Sequence, residues 1–360
     1  MTELTYRVQV DRIIEAVDGA AWDALCGERP FTTVYWLKFL ELVFLDYEPT
    51  YLQLWQGEQL VAGAVCLPQQ HFHLSAYLKN KVLHNVAARA LAWLPPYACV
   101  LPLFLRDGLL LHPEVETGVW LPILLAEIEK LSRQRWAPFT YLGNLSAEMG
   151  IVGQQHAFVT LPILQDTYLN IVWDNFDDYL RHLTAKRRKR VKTYRQNAQE
   201  AGVVMHEATL ESSLRPQIEG LMYGVAAKHA NVLLYRPDFL QRANDYLLPE
   251  TVCALVACVD QEPAACITLF HSGGEMVAKW SGMNYALTHK SYAYHYLMIE
   301  IVRKAIELGV KRLDLGPTSY VLKRQLGATF EDRVAGLKVG IRPFNTLFRQ
   351  LMVSKMAADA

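Results

Sequence analysis

The sequence predicts an α/β (α+β) protein of two tandem domains, each with a mixed, mainly antiparallel sheet flanked by helices. Residues 125–143 and 298–316 align without a gap, and both are typical of an amphipathic helix, a short turn and a strand that ends in Leu-Gly. Upstream of these, residues 52–67 and 255–269 each consist of two apolar runs around a polar turn, which indicates a β-hairpin. The order hairpin, helix, strand therefore occurs twice, and duplication of one unit is the simplest explanation.

Composition limits the class of protein. The chain has 360 residues, of which 52% are apolar and 20% are charged, so two domains with large cores are expected. The 36 basic residues balance 36 acidic ones, and a neutral chain is not typical of proteins that coat nucleic acids or membranes. The six cysteines include no Cys-x-x-Cys, and the N-terminus has no apolar signal core. We therefore expect reduced thiols and a cytoplasmic location.

Residues 91–105 carry no charge and need a separate interpretation. A membrane-spanning helix needs about 20 apolar residues, whereas this run is shorter and contains Pro95, Pro96 and Pro102. Because prolines interrupt helices, we interpret the run as buried strand and loop and expect no integral insertion into a membrane. A surface that faces lipid or an acyl chain is the alternative.

The elements of the first domain follow from the spacing of apolar residues. Helices are expected where apolar side chains recur every three or four positions, and strands where apolar residues form short runs between turns. The predicted order is helices at 20–26 and 30–43, the hairpin at 51–67, a helix at 119–135 and a strand at 139–143. A linker at 144–165 completes a first domain of residues 1–165.

The second domain is predicted to span residues 166–345, with 346–360 as a tail. A cap at Asp174 or Asn175 is expected to begin a helix that continues through a basic run to Gly202. The remaining predicted elements are strands at 166–171, 203–207, 252–259, 264–271, 275–283, 312–315 and 335–341, and helices at 211–229, 237–247 and 291–308.

This order of elements in the second half resembles an acyltransferase of the GNAT superfamily, in which an antiparallel meander precedes one helix and a further strand. Residues 177–195, a helix rich in Lys and Arg, resemble the Fem-like branch of that superfamily. Residues 313–328 resemble its closing motif, with Asp-Leu-Gly, then Leu-Lys, then Gly-Ala. Fem-like proteins contain duplicated GNAT domains and include peptidyltransferases of cell-wall synthesis. One departure is Leu322, because the family usually has Tyr or Phe before that lysine.

The resemblance implies an N-acyltransferase with a degenerate N-terminal copy and a C-terminal copy that carries the donor site. The acyl group, which a fatty chain would suit, would pass from acyl-CoA or an acyl carrier protein to an amine of a peptide or amino-sugar-type acceptor. An aminoacyl-tRNA-dependent peptidyltransferase and a non-catalytic binding module remain as alternatives. We expect no permanently bound cofactor and no metal, and the sequence lacks the motifs of serine hydrolases, zinc proteases and Walker-type nucleotide sites.

The basic run is the first candidate site. Its seven cations lie within ten residues, with no acidic residue among them: Lys186, Arg187, Arg188, Lys189, Arg190, Lys192 and Arg195. Arg187 falls on the otherwise apolar stripe of the predicted helix. Arg187 and Lys192 are our candidates for binding the phosphates of coenzyme A, of a carrier's phosphopantetheine arm or of tRNA. The alternative is a solvated helix face.

The segment 280–292 is the second candidate site, because in GNAT proteins the donor lies where this strand separates from its neighbour. Trp280 and Asn284 are expected near the acyl end of the donor. Lys290 and Ser291, at the predicted start of the long helix, would hold an anion. The usual glycine-rich pyrophosphate loop is absent, since no Gly occurs between 282 and 309. A plain helix cap is the alternative role for Ser291.

Lys323, Asp314 and Tyr320 are the catalytic candidates. A fixed cation at Lys323 would stabilise the oxyanion of acyl transfer, and the first copy has no cation after Gly143 to match it. Asp314, in an apolar strand, would help to deprotonate the amine or would pair with Arg312 or Lys323, and we favour the pairing. Tyr320 would return a proton to the leaving group. A surface position is the alternative for Lys323.

The acceptor is expected in a groove between the domains, because domain interfaces commonly hold ligands. The residues predicted to line it are Tyr223, His229, Tyr235, Tyr35 and Trp36. Their aromatic rings would suit an apolar acyl chain or stacking on a nucleobase. Core packing within their own helix is the favoured alternative for Tyr35 and Trp36, and a structural role is the favoured alternative for His229.

Overall fold

The computed structural model describes residues 4–69, 94–104, 106–210, 213–228, 235–340, 345–346 and 350. The chain divides into two compact units. The first is drawn from residues 1–41, 46–163 and 332–360, and the second from residues 42–45 and 164–331. The division near residue 164 lies beside the boundary expected at 165, whereas the residues after 331 belong to the first unit.

The described residues form helices and strands in both halves of the chain. The first half contains β1 (Arg7–Asp11), α1 (Gly19–Cys26), α2 (Val34–Val43), β2 (Thr50–Gln56), β3 (Gln59–Pro68), β4 (Tyr97–Leu101), β5 (Arg106–Asp107), β6 (Leu109–Leu111), α3 (Thr117–Gln134), β7 (Phe139–Ser146), α4 (Ala147–Gln155) and β8 (Val159–Pro162). The second half contains β9 (Asp166–Asn170), α5 (Phe176–His182), α6 (Ala185–Glu200), β10 (Val203–Ala208), α7 (Arg215–Lys228), α8 (Phe239–Tyr246), β11 (Val252–Val259), β12 (Glu262–Ser272), β13 (Glu275–Met283), α9 (Tyr285–Ser291), α10 (Ala293–Glu307), β14 (Arg312–Asp314), α11 (Tyr320–Gln325), β15 (Thr329–Glu331) and β16 (Arg333–Val339).

The two sheets share one pairing pattern, which confirms the predicted α/β fold with two mixed sheets. The first sheet has the order β1-β2-β3-β4-β7-β16-β8, with β5 and β6 attached to β4 and β3. The second has the order β10-β11-β12-β13-β14-β9-β15. In each sheet three antiparallel strands (β2 to β4, and β11 to β13) are followed by one parallel neighbour, β7 or β14. That neighbour is the strand that ends each copy of the repeat recognised in the sequence.

Each unit buries its long helix on its own sheet. In the first unit the apolar face of α3 presents Leu121, Leu124 and Ile128 to the core. In the second, α10 buries a stripe at helical spacing on the sheet, consisting of Leu297, Met298, Ile301, Val302 and Ala305. An apolar stripe at this spacing is what the helical periodicity of the sequence predicts.

The last strand belongs to a different sheet from the one expected. The strand predicted at 335–341 was placed in the second domain, but β16 pairs with β7 and β8 of the first unit, where Leu337 faces Tyr141 and Val159. Linear order suggests the nearest sheet, whereas pairing depends on contacts almost 200 positions apart in the chain. The corresponding place in the second sheet, beside β14, is taken by β9.

Two predicted helices are interrupted. The helix expected from Asn175 to Gly202 is divided into α5 and α6, because Leu183 is extended and the side chain of Thr184 caps α6 by accepting a hydrogen bond from the Arg187 N–H at 3.4 Å. The helix expected at 291–308 begins at Ala293. A separate helix, α9, precedes it, and Tyr292 between them has a left-handed backbone with φ of 58°.

Most of the apolar run 91–105 is described. Its residues Tyr97–Leu101 form the buried strand β4, as the sequence predicts, whereas Leu94 is exposed; residues 91–93 and 105 lie outside the described residues. Across the parts of the chain that the structure describes, no helix is both long and apolar enough to cross a bilayer. All six cysteines are free thiols, and five of them are buried.

Candidate active site

The candidate site lies where β13 and β14 part. The two strands pair only over Glu275–Val277 and Arg312–Asp314, while β13 continues beside β12 to Met283. A β-bulge interrupts the pairing of β13 with β12, and Trp280 within it has φ of 53°. Bulges redirect the neighbouring side chains. Lys279, directly before the bulge, and Asp314, the last residue of β14, are therefore both at the point of separation.

The turn after β14 has an unusual backbone. Gly316, Thr318 and Ser319 have φ of 67°, 73° and 49°, and a positive φ is a genuine outlier for a β-branched residue such as Thr318. Such strain persists only where neighbouring contacts hold it. Here Asp314 accepts a hydrogen bond from the Gly316 N–H at 2.7 Å, and the Thr167 hydroxyl donates to the Gly316 carbonyl.

Lys323 closes this turn from the helix that follows. Its side chain is 2% exposed, and its Nζ donates to the carbonyl oxygens of Gly316 at 2.8 Å and Pro317 at 2.9 Å. Burial lowers the pKa of Lys323 to about 7; the positive charge of Lys279 lowers it further, and the carboxylates of Asp314 and Asp166 oppose the shift. Lys323 is therefore buried rather than at the surface, and near neutral pH it exists in both protonation states.

Two charged residues of this cluster did not appear among our sequence-based candidates. Lys279 is half-buried on β13, and its Nζ lies 3.2 Å from the position that a Cβ on Gly316 would occupy. Asp166 is 7% exposed at the start of β9. The signal available was the one used for Asp314, a charged residue within an apolar strand. The charged residues that lie beside Asp314 are set by the register between strands, and that register cannot be read from the sequence.

Two tyrosines anchor the ends of the turn. The Tyr320 hydroxyl donates to the Gln165 carbonyl at 3.0 Å, so its proton is engaged with the backbone. The Tyr294 hydroxyl lies 3.4 Å from the Ser319 hydroxyl. Tyr294 was not a sequence-based candidate, and burial raises its pKa above the usual value. Tyr320 therefore makes a hydrogen bond that stabilises the turn. Its role in returning a proton to the leaving group stays a prediction.

The basic run forms the exposed side of α6. Lys186, Lys189, Arg190 and Lys192 are exposed and Arg187 is half-buried, whereas Val191, Tyr194 and Ala198 face the core. Among the described residues, no acidic side chain forms an ion pair with Lys186, Lys189 or Lys192, and the nearest pairing on the helix joins Arg195 to Glu300 at 4.0 Å. The exposed cations therefore remain available to an anionic ligand.

Hydrogen bonds connect the basic helix to the helix of Lys323. The Tyr194 hydroxyl donates to the Gln325 side chain at 2.7 Å, and the Tyr179 hydroxyl on α5 donates to the Leu326 carbonyl at 2.9 Å. The side chain of Leu183, between α5 and α6, lies 3.1 Å from a Cβ position on Gly327. Phosphate-binding candidates and the lysine thus belong to one packed region of the second unit.

In the predicted donor segment, Trp280 and Asn284 make contacts that stabilise the fold. Trp280 is 7% exposed and packs against Tyr235, Phe239 and Phe270. Asn284 caps α9 by accepting hydrogen bonds from two backbone N–H groups, and its amide lies 3.3 Å from the Glu262 carboxylate.

The two residues that were predicted to hold an anion end α9 rather than begin the long helix. The Ser291 hydroxyl donates to the Leu287 carbonyl at 2.8 Å and accepts from the Ala293 N–H at 3.3 Å. Ser291 is therefore not the N-cap of α10, which is Tyr292, although its hydroxyl accepts a bond from the first N–H of that helix. Lys290 is exposed in the last turn of α9.

The residues expected to bind the acceptor have different surroundings. Trp36 is 1% exposed and packs against Phe31, Phe39 and Phe104, as a core residue does, and Tyr35 beside it is half-buried. In the second unit Tyr223 is exposed on α7, and burial raises the pKa of Tyr235 to about 12. His229 lies outside the described residues. The groove between the domains stays a prediction.

The described residues contain no group of three or more His, Cys, Asp or Glu side chains placed to hold a metal ion. A cavity of about 700 Å³ in the first unit is lined by Glu129, Arg133 and Lys338 among others. The Glu129 carboxylate pairs with both cations there. These charges are therefore already satisfied by one another, and the cavity contributes nothing to the lysine site.

Solved structures with a similar fold have low sequence identity to this chain, as three examples show. FemX matches with a TM-score of 0.60 and 10% identity over 95% of this chain and 100% of its own. The C-terminal domain of a putative lysylphosphatidylglycerol synthetase from Agrobacterium fabrum matches with a TM-score of 0.57 and 11% identity, over 94% and 96%. A tandem GNAT protein from the clavulanic acid biosynthesis pathway matches with a TM-score of 0.56 and 10% identity, over 93% and 99%. At this identity the likeness establishes the tandem GNAT fold alone.

Sequence comparison establishes the family. No curated protein matches the chain, but the model of the FemAB-like family, described as peptidoglycan biosynthesis/recognition, matches residues 13–318. The match ends in the turn before Lys323, so it does not itself cover that lysine. The resemblance inferred from residues 177–195 and 313–328 is confirmed: the chain belongs to the FemAB-like family, an acyltransferase-type family, and has the tandem GNAT fold.

Proposed function

We propose that this protein is an N-acyltransferase that moves an acyl group from a thioester to an amine of a peptide or amino-sugar-type acceptor. The observation that carries the proposal is the buried Lys323, with a pKa of about 7, at the point where β13 and β14 separate. Amide formation requires a base that functions near neutral pH, because the attacking nitrogen must lose a proton. A lysine whose pKa is close to neutral meets that requirement, whereas an exposed lysine does not.

The hydrogen bonds of Lys323 suit a proton acceptor. A neutral amine has two N–H groups, which can serve the Gly316 and Pro317 carbonyls, and this leaves its lone pair for the incoming proton. The acceptor nitrogen attacks the thioester carbonyl, a C–N bond forms, and the proton on nitrogen passes to Lys323. Collapse of the tetrahedral oxyanion breaks the C–S bond, and the leaving thiolate takes the proton back from the Lys323 ammonium.

The donor's phosphates are assigned to α6 in this proposal. Coenzyme A and a carrier's phosphopantetheine both carry phosphates, which Arg and Lys side chains bind by charge-assisted hydrogen bonds. The support is that Lys186, Lys189 and Lys192 are exposed and that Tyr194 ties their helix to that of Lys323. Arg187, half-buried at the start of the same helix, would make the more rigid contact.

An aminoacyl-tRNA donor is the second candidate, and the same basic helix favours it. Family membership is compatible with either donor, because peptidyl transfer from tRNA uses the same attack of an amine on an acyl carbonyl. The two donors differ in the number of phosphates that they present. Binding of tRNA would weaken steeply with salt, roughly in proportion to the phosphates neutralised, whereas a coenzyme A donor presents few phosphates and would respond less.

Product identification tests the proposal. Purified protein is incubated with acyl-CoA of graded chain length, an acylated carrier protein or charged tRNA, together with peptide amines, and products are detected by mass spectrometry. We expect an amide that forms with the wild-type protein and not with Lys323→Met, while Lys304→Met serves as a matched control, since Lys304 pairs with Glu207 away from the site. Binding without turnover of any donor would instead indicate a non-catalytic module.

A further inference from the structure

Two lysines converge on Gly316, and the proposed mechanism uses only one of them. The Nζ of Lys323 reaches the Gly316 carbonyl from α11 at 2.8 Å. The Nζ of Lys279 comes from β13 to within 3.2 Å of the position that a Cβ on Gly316 would take. Gly316 has a φ of 67° and no side chain, so it allows both amines to approach the same backbone unit.

We propose, building on the function proposed above, that Lys279 is a positioning residue that keeps Lys323 in its proton-accepting form. Two ammonium groups held this close repel each other, so the presence of one disfavours protonation of the other.

The strand geometry explains why Lys279 is held there. Trp280, the next residue, adopts a left-handed backbone in the bulge of β13 and is fixed by ring contacts with Phe239 and Phe270. Because Trp280 is locked on one side of the bulge, the backbone orientation of Lys279 is locked on the other. Beyond Val277, β13 no longer pairs with β14, which leaves space for the Lys279 side chain.

Besides burial, which is the largest cause of the lowered pKa of Lys323, Lys279 is the charge that opposes the carboxylates around it. The charged groups that act on Lys323 are Lys279 from β13, Asp314 from β14 and Asp166 from β9. On its own helix, Arg324 lies over the Phe330 ring, and the contact from α6 is the uncharged bond between Tyr194 and Gln325.

Both carboxylates favour the protonated amine. With Lys279 removed they would act on Lys323 without an opposing cation, and Lys323 would hold its proton at a higher pH. The charge of Lys279 therefore opposes the two carboxylates and favours the unprotonated form of Lys323, which is the form that can accept a proton.

The pKa of Lys323 can be followed directly through the ¹³Cε resonances of labelled lysines in the full-length protein, with the Lys323 signal assigned from Lys323→Arg. We expect the Lys279→Met protein to titrate Lys323 at a clearly higher pH than wild type. Lys279→Arg, which retains the charge, should stay near wild type, and Lys304→Met should cause no shift. Lys279→Gln, which removes the same charge with a polar side chain, should also raise the pKa and supplies an independent measurement if Lys279→Met folds poorly.

The result that overturns the inference is a Lys323 pKa that is the same in the wild type as in Lys279→Met, or the same as in Lys279→Gln when Lys279→Met does not fold. This readout needs no substrate, so it separates the inference from the proposed function. A shifted pKa in a protein without acyl transfer would support the lysine pair and reject the activity. Acyl transfer by a protein whose Lys323 pKa does not shift would support the activity and reject the role of Lys279.

Discussion

Replacement of Lys323 by Met should change how stability depends on pH. In the folded protein the pKa of Lys323 is lowered from 10.5 to about 7. Between these values the unfolded chain binds the proton and the folded chain does not, so the free energy of unfolding of the wild type rises with pH. The cost of burying the ammonium is fully present below pH 7 and is gone above about pH 10.5. Met removes that cost at every pH.

The magnitude follows from the shift in pKa. A difference of about 3.5 units at 1.36 kcal/mol each gives about 5 kcal/mol in total, of which about 3 kcal/mol falls between pH 7 and 9.5. Loss of the hydrogen bonds to Gly316 and Pro317 lowers the stability of the variant by an amount that stays nearly constant with pH. The change with pH, rather than the sign at one pH, is therefore the quantity to measure.

Urea unfolding followed by tryptophan fluorescence, at several pH values from 6 to 9.5, provides the measurement. Lys304→Met is unfolded in parallel as the control for removal of a lysine. The wild type should gain about 3 kcal/mol relative to Lys323→Met between pH 7 and 9.5, and the control should show no such trend. A wild-type minus Lys323→Met difference that stays flat over this range would refute a lowered pKa for Lys323.

Three further predictions concern the rest of the site. The double variant Arg187→Gln and Lys192→Gln should raise the KM for an acyl-CoA donor with little change in kcat, because phosphate contacts far from the carbonyl bind ground and transition states alike; an unchanged KM would remove α6 from donor binding. Gly316→Ala places a methyl group 3.2 Å from the Lys279 Nζ at a φ of 67°, so it should lower the midpoint of thermal unfolding by a few degrees and reduce kcat, and a variant with wild-type values of both would contradict the crowding at Gly316. Tyr194→Phe removes the bond to Gln325 and should cost about 1 kcal/mol in urea unfolding, whereas no loss would show that this tie between the helices contributes nothing.

The sequence predicted those features that depend on neighbouring residues. The hairpins at β2–β3 and β11–β12, the helices α3 and α10, and the strands after them arise from local periodicity, and all are present. The position of β16 could not be predicted in this way, since its partners β7 and β8 lie far away in the chain. The break between α9 and α10 also gave no signal, because Tyr292 rather than Gly adopts the left-handed backbone.

The candidate site was predicted in part. Lys323, Asp314 and Tyr320 were selected from their motif, and the structure brings all three to the turn at Gly316. The motif indicated a fixed cation at Lys323, but burial and a second lysine give it a pKa of about 7, and both causes are properties of packing. Lys279 enters the site through a bulge and through the early end of the β13–β14 pairing, neither of which a single sequence reveals.

The pH dependence of kcat/KM for amide formation tests the central claim most directly, with the wild type and Lys323→Met compared on the donor that product analysis identifies. If Lys323 is the proton acceptor, kcat/KM of the wild type should rise with pH through about 7 and level off above it. The variant should lack that transition and be slower by on the order of 10²–10⁴-fold. A wild-type rate that falls as pH rises through 7 would identify Lys323 as a required cation, and a variant as fast as the wild type would remove it from the mechanism.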